Sequence, residues 1–150
     1  MQHTPVGVII AQIKQLQSRL IEKMLKQNIL MDDVNGAQIN IIYQLWNEDN
    51  ITISELSKRT QLANTSLTTM LDRLESRGQI RKCRSEHNRR EVRVQLTDKS
   101  RNMQGEANEI LKAMHSINFN GFSKDEKIQM YAYLTRMKNN LEQYSQSENK

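Results

Sequence analysis

In 150 residues there is one cysteine, Cys83, and one proline, Pro5. A lone cysteine excludes an intramolecular disulfide and fits a reducing compartment. Glycine occurs five times, and no stretch has the spacing of a phosphate-cradling loop. No apolar run approaches the roughly 18 residues of a membrane span. The opening, MQHTPVGVIIAQIKQ, lacks the basic start and long apolar stretch of a secretory signal. His3, His87 and His115 stand alone, with no carboxylate or cysteine at ligand spacing, so neither a metal site nor a cofactor is expected. No nucleophile has a base at a recognisable spacing, which speaks against catalysis. These absences lead to the expectation of a soluble, cytoplasmic, non-enzymatic protein.

What is present is charge in one place. The net charge is +5, and the hydrophobic content is only 37%, with a mean hydropathy of −0.75. Residues 1–50 carry 4 Lys/Arg against 5 Asp/Glu, residues 51–100 carry 11 against 6, and residues 101–150 carry 7 against 6. A basic centre between near-neutral ends reads as a localised polyanion-binding surface. The low apolar content suggests elongated helices, or a subunit that completes its core with a partner.

The hydrophobic period supplies the elements. Thr4-Pro5 predicts an N-cap and a first helical position. Ile9, Ile13, Leu16, Leu20 and Met24 then form one stripe of a long amphipathic helix running to about residue 28. Asn35–Gln38, Thr52–Glu55 and Ser123–Glu126 have the spacing of capping boxes. They predict a helix through Trp46, a short one from Ile53 to Thr60, and a last one from Ser123 to about Tyr144, followed by a fraying polar tail. Between them, Asn64 to Arg77 reads as a helix stopped by Gly78. Ile80–Arg84 and Val92–Leu96 read as a hairpin, and a further helix is expected to run unbroken from Thr97 through Met103 to Ile117. The fold class is therefore mainly α (α+β): a winged helix-turn-helix with flanking N- and C-terminal helices. Within 1–150, the winged helix-turn-helix lobe is expected over 36–97, flanked by the helices of 5–30 and 98–146.

Helix 64–77 places Leu67, Met70, Leu71 and Leu74 on one side and Thr65, Thr69, Asp72 and Ser76 opposite, with Ser66, Thr68 and Arg73 at the edges. Small hydroxyl side chains suit a major groove about 12 Å wide. The hairpin carries Arg81, Lys82, Arg84, Arg89, Arg90 and Arg93. An arginine pair at a loop tip matches the negative potential of a minor groove. Candidate DNA-contacting residues are Asn64, Thr65, Ser66, Thr68, Thr69, Arg73, Arg84, Arg89 and Arg90, and the partner is double-stranded DNA.

The run from Gly36 to Ser100 resembles the MarR family of bacterial transcription regulators. The resemblance rests on Ile53-Ser54-Glu55-Leu56-Ser57, on Leu71-Asp72-Arg73-Leu74-Glu75-Ser76-Arg77-Gly78, and on Arg89-Arg90 followed by Val92-Arg93-Val94-Gln95-Leu96-Thr97. It implies a homodimer in which the first and the last two helices interlock with a partner, burying on the order of 2,000–5,000 Å². It also implies half-sites of a pseudo-palindromic operator and repression relieved by a small lipophilic or aromatic effector. Ile13, Arg19, Tyr43, Trp46, Met103 and Met114 are the candidate lining of such a ligand crevice. The chain departs from the family pattern at Ser85 and Asn88, where acids are common, at Ala63, which moves the expected cap to Asn64, and at Ser100, near a common glycine. Two alternatives stay open: a winged-helix protein-interaction module (an anti-repressor), and a thiol-based redox regulator using Cys83, which lies between Lys82 and Arg84. Acidic or large apolar residues on the outer face of helix 64–77 would favour the protein partner.

Overall fold

The structure is a computed structural model that describes residues 4–27 and 34–148. Ten elements follow one another: α1 (Val6–Lys26), α2 (Gly36–Asn47), β1 (Ile51–Thr52), α3 (Ile53–Thr60), α4 (Asn64–Ser76), β2 (Ile80–Arg84), β3 (Val92–Leu96), α5 (Asp98–Asn102), α6 (Gln104–Asn118) and α7 (Lys124–Glu148). The chain divides into two compact units, Met1–Lys112 and Ala113–Lys150. The lobe expected over 36–97 thus belongs to a larger unit that ends within α6.

In the first unit, α2 begins with a complete capping box: Asn35 Oδ1 accepts the Gln38 N–H at 2.8 Å, and Gln38 Oε1 accepts the Asn35 N–H at 3.1 Å. This anchors a helix whose Ile41, Ile42 and Leu45 are completely buried. They share one core with Leu56 of α3, with Leu67, Leu71 and Leu74 of α4, and with Ile80, Val94 and Leu96 of the sheet. The sheet is antiparallel in the order β1-β3-β2, with Ile51 opposite Val94 and Ile80 opposite Leu96. Only the second half of the box expected at Thr52 fails to form. Thr52 Oγ1 accepts the Glu55 N–H at 3.1 Å, while the Glu55 carboxylate goes to Arg59 Nε at 2.9 Å.

Helix α4 ends in a Schellman motif. The Gly78 N–H donates to Glu75 O at 3.0 Å and the Gln79 N–H to Leu74 O at 2.9 Å. Gly78 has φ +71°, a left-handed conformation glycine adopts without strain. The motif turns the chain at once into β2, which sets the wing beside α4.

Two helix starts here differ from expectation. Pro5 occupies the cap position of α1, its carbonyl accepting the Val8 N–H at 2.9 Å, so Thr4 does not cap. The expected extension of α1 to residues 28–30 lies outside the described residues. The helix after the wing is not continuous: α5 ends at Asn102, Met103 caps it, and α6 starts at Gln104. The interruption coincides with two anchors. Ser100 is completely buried against Gln79, and Met103 is only 1% exposed within the core.

The stripe of α1 is left uncovered: Ile9, Ile13 and Leu16 are exposed, and only Leu25 is buried. In the second unit, Gly121 at φ +82° ends the turn after α6, and a complete capping box of Ser123 and Glu126 starts α7. Phe119 stands against His115, Phe122 and Tyr131, with ring centroids 4.9, 5.5 and 5.5 Å away. Helix α7 continues to Glu148, past the Tyr144 limit read from the apolar period, so residues 145–148 are helical rather than frayed. Its Ile128, Leu134, Leu141 and Tyr144 are exposed.

Candidate nucleic-acid interface

Leu67, Leu71 and Leu74 are fully buried and pin α4 to the core, so the opposite face is free. Thr65, Ser66, Thr68, Thr69, Asp72, Arg73 and Ser76 are all exposed on it. The hydroxyls are not equivalent. Thr68 Oγ1 donates to Asn64 O at 2.7 Å, and Thr69 Oγ1 donates to Thr65 O at 3.1 Å. Their protons are therefore committed to the helix, which leaves lone pairs and a methyl group on each. The Thr65 and Ser66 hydroxyls carry no such commitment.

The expected cap at Asn64 is not formed. Asn64 is the first helical residue, and Ala63 takes the cap position at φ −61°, ψ 146° without a side-chain hydrogen bond. Alanine has no acceptor to offer, so no side chain caps the first-turn N–H groups of α4. Such groups favour an anion.

Nine basic residues of the first unit fall into two sets. Arg59 pairs with Glu48 and Glu55, Lys82 with Asp72 and Glu75, Arg93 with Glu91 at 2.8 Å, and Arg101 with Asp49 at 2.8 Å and Asp98 at 3.1 Å. Arg93 also donates to Asn50 O at 2.7 Å, tying β3 to the α2–β1 turn. By contrast Arg73, Arg81, Arg84, Arg89 and Arg90 are exposed and make no side-chain hydrogen bond or ion pair among the described residues. All five lie on α4 or the wing.

The wing tip is ordered without an acid. Ser85 Oγ accepts the N–H groups of His87 and Asn88, both at 3.3 Å. Asn88 Oδ1 accepts the Arg90 N–H at 3.1 Å, an Asx turn. The loop closes through Ser85 N–H to Glu91 O at 3.1 Å and Glu91 N–H to Asn88 O at 2.9 Å. Ser85 and Asn88 thus hold the backbone of His87, Asn88 and Arg90 and leave the Arg89 and Arg90 guanidiniums unengaged. A groove of about 530 Å³ brings Asn88 and Arg90 together with Asn64 of α4 and Ser54 of α3. Ser54 was not among the expected contacts. Its place inside a capping-box pattern was the available signal.

The six crevice candidates are placed less uniformly. Ile13, Arg19 and Tyr43 are exposed, while Trp46 is half-buried and donates from Nε1 to Ser100 O at 3.2 Å. Met103 and Met114 are buried. Cys83 is half-buried, its Sγ 3.6 Å from Gln95 Oε1. Among the described residues no group of His, Cys, Asp and Glu could hold a metal ion, and no helix is long and apolar enough to cross a membrane.

Two short helices, the second free on its outer face, followed at once by a basic hairpin, define a winged helix-turn-helix protein. The MarR family model matches residues 34–92, so the chain carries a MarR-family domain. Among curated relatives, the transcriptional regulator TtmR of Methylorubrum extorquens is 30% identical over 109 residues, 73% of this chain and 55% of TtmR. The chain spans between 54% and 63% of the length of the first three curated relatives it matches. Escherichia coli MarR, solved in complex with operator DNA, superposes with a TM-score of 0.78 at 25% identity, covering 89% of this chain and 93% of that one. Bordetella bronchiseptica BpsR, whose DNA binding is regulated by 6-hydroxynicotinic acid, has a TM-score of 0.80, covering 92% and 96%. Its 17% identity makes that a likeness of fold alone.

Proposed function

We propose that this chain is a sequence-specific DNA-binding transcription regulator, a homodimeric repressor released from a pseudo-palindromic operator by a small molecule. The observation that carries the DNA-binding part is the set of five unpaired arginines on α4 and the wing. An unpaired guanidinium has no internal ion pair to give up on meeting phosphate, and each phosphate contact releases counterions. Asn64, Thr65, Ser66, Thr68, Thr69 and Arg73 meet the major groove and its phosphates, and Arg84, Arg89 and Arg90 meet the backbone and the adjacent minor groove. The E. coli MarR–operator complex supports this reading.

The homodimer rests on the uncovered stripes. Ile9, Ile13 and Leu16 of α1 and Ile128, Leu134, Leu141 and Tyr144 of α7 are exposed apolar side chains at helical spacing. A second copy that covers them gives each stripe the apolar partner it lacks. Effector release rests on the BpsR likeness and on Ile13, Arg19, Tyr43 and Trp46, which are open or half-open to a ligand. Met103 and Met114 meet an effector only if they are uncovered. The outer face of α4 carries no large apolar side chain, and the acids on the helix, Asp72 and Glu75, are engaged by Lys82, which favours DNA over the anti-repressor alternative.

Selection of duplexes from a random library by the purified protein tests the reading. A recovered two-fold-related motif is expected. Recovery of no motif, with equal binding to all duplexes, contradicts sequence-specific recognition.

A further inference from the structure

Helix α4 and strand β2 are joined by one side chain. Lys82 Nζ pairs with Asp72 Oδ1, and lies 3.8 Å from Glu75 Oε1. The same Glu75 accepts the Lys82 backbone N–H through Oε2 at 2.7 Å. Strand β2 is an edge of the sheet, so this outward N–H has no strand partner, and Glu75 satisfies it. Lys82 is the least exposed of the three side chains, at 25% against 59% for Asp72 and 40% for Glu75.

Asp72 lies on the stripe that Thr65 and Thr69 begin, three residues beyond Thr69. A carboxylate there is misplaced if α4 approaches DNA, because it faces phosphate with like charge. We propose that Lys82 is a positioning residue for DNA binding. It fixes the wing against α4 and cancels the acidic charge that Asp72 and Glu75 would otherwise present to the duplex. This inference rests on the DNA-binding reading above. It separates Lys82 from the five unpaired arginines: its positive charge serves the protein's own carboxylates, not phosphate.

The experiment compares wild type, K82Q, K82R, D72N and D72N/K82Q on one duplex, a sequence recovered by the wild-type selection. Affinity is read by fluorescence anisotropy from about 50 to 300 mM salt. K138Q removes one positive charge from α7 and sets the baseline for a net-charge effect. K82Q is expected to bind roughly tenfold more weakly than wild type at the low-salt end, with the deficit shrinking as salt screens the freed carboxylates. K82R should bind within about twofold of wild type, and D72N/K82Q should regain most of the loss. If Lys82 touches phosphate itself, D72N does not rescue K82Q. If its role is only to stabilise the fold, the deficit is independent of salt and D72N worsens it. Either result overturns the proposal, as does K82Q indistinguishable from K138Q. A wild type that binds no duplex removes the DNA-binding reading, and this inference with it. A binding wild type with an unaffected K82Q removes this inference alone.

Discussion

Asn88 holds Arg90 by its backbone, not by its guanidinium: the carboxamide oxygen accepts the Arg90 N–H at 3.1 Å. The wing arginine is therefore aimed through the shape of the loop, and its charge remains free for a ligand. N88A should leave the melting temperature within about 2 °C, because the bond is exposed, and weaken duplex binding by roughly three- to tenfold. Hydrogen exchange at Arg90 and Glu91 should quicken in the same variant. Unchanged exchange with unchanged affinity would show that the loop needs no Asx turn.

Thr69 offers DNA a methyl group and lone pairs, since its proton goes to Thr65 O at 3.1 Å. T69V keeps the methyl and T69S keeps the hydroxyl. If the methyl reads a thymine, T69V retains the wild-type preference among operator variants, and T69S relaxes it at one position by about 1–3 kcal/mol. Uniform weakening by both variants across all sequences would contradict base readout at this site.

Asp49 fastens the α2–β1 turn to β3 and α5. Its Oδ1 accepts the Leu96 N–H at 2.9 Å and the Asn50 N–H at 2.8 Å, and its Oδ2 pairs with Arg101 at 2.8 Å. Burial raises the carboxyl's pKa, but the Leu96 N–H, Arg101 and the Asn50 N–H together outweigh it and hold it below the ordinary 3.8. A pKa lower in the folded than in the unfolded chain stabilises the fold above the ordinary value. That stability disappears as pH falls through the folded value. Urea midpoints should thus drop below about pH 4. D49N should cost ~1–2 kcal/mol at pH 7 and show a shallower acid limb. Parallel acid limbs for D49N and wild type would contradict this assignment.

Ser100 and Gln79 are completely buried, and the Ser100 Oγ lies 2.6 Å from both Gln79 O and Gln79 Oε1. One hydroxyl proton serves one of these acceptors at a time. S100A removes the hydroxyl donor, while Gln79 O keeps the Thr97 N–H at 3.2 Å, and should cost ~1–3 kcal/mol, read from denaturant unfolding. A loss under about 0.5 kcal/mol would mean that the pair does not anchor α5.

Much of this architecture was legible because local chemistry and tertiary packing agree. Asn35/Gln38 and Ser123/Glu126 cap as their spacing says, and both wing strands begin and end where alternation and the apolar residues place them. Legibility failed where a distant contact decides the outcome. Ser100 reaches Gln79, 21 residues away in sequence. The pairing of Asp72 with Lys82 spans 10 residues and two elements. Composition counted Lys82 with the wing's other cations, whereas the fold separates it from Arg84, Arg89 and Arg90. The vacant cap at Ala63 was visible as a residue but not in its result, because Asn64 was a plausible substitute and lies one position too late.

The salt dependence of duplex binding, for wild type and R89A/R90A, tests the central claim most directly. Each lost phosphate contact should reduce the slope of log affinity against log salt by ~0.9, so the double variant should flatten it by up to ~2 per chain, with weaker binding to every sequence. The same slope in both proteins would contradict the assignment of the wing as a DNA-binding element.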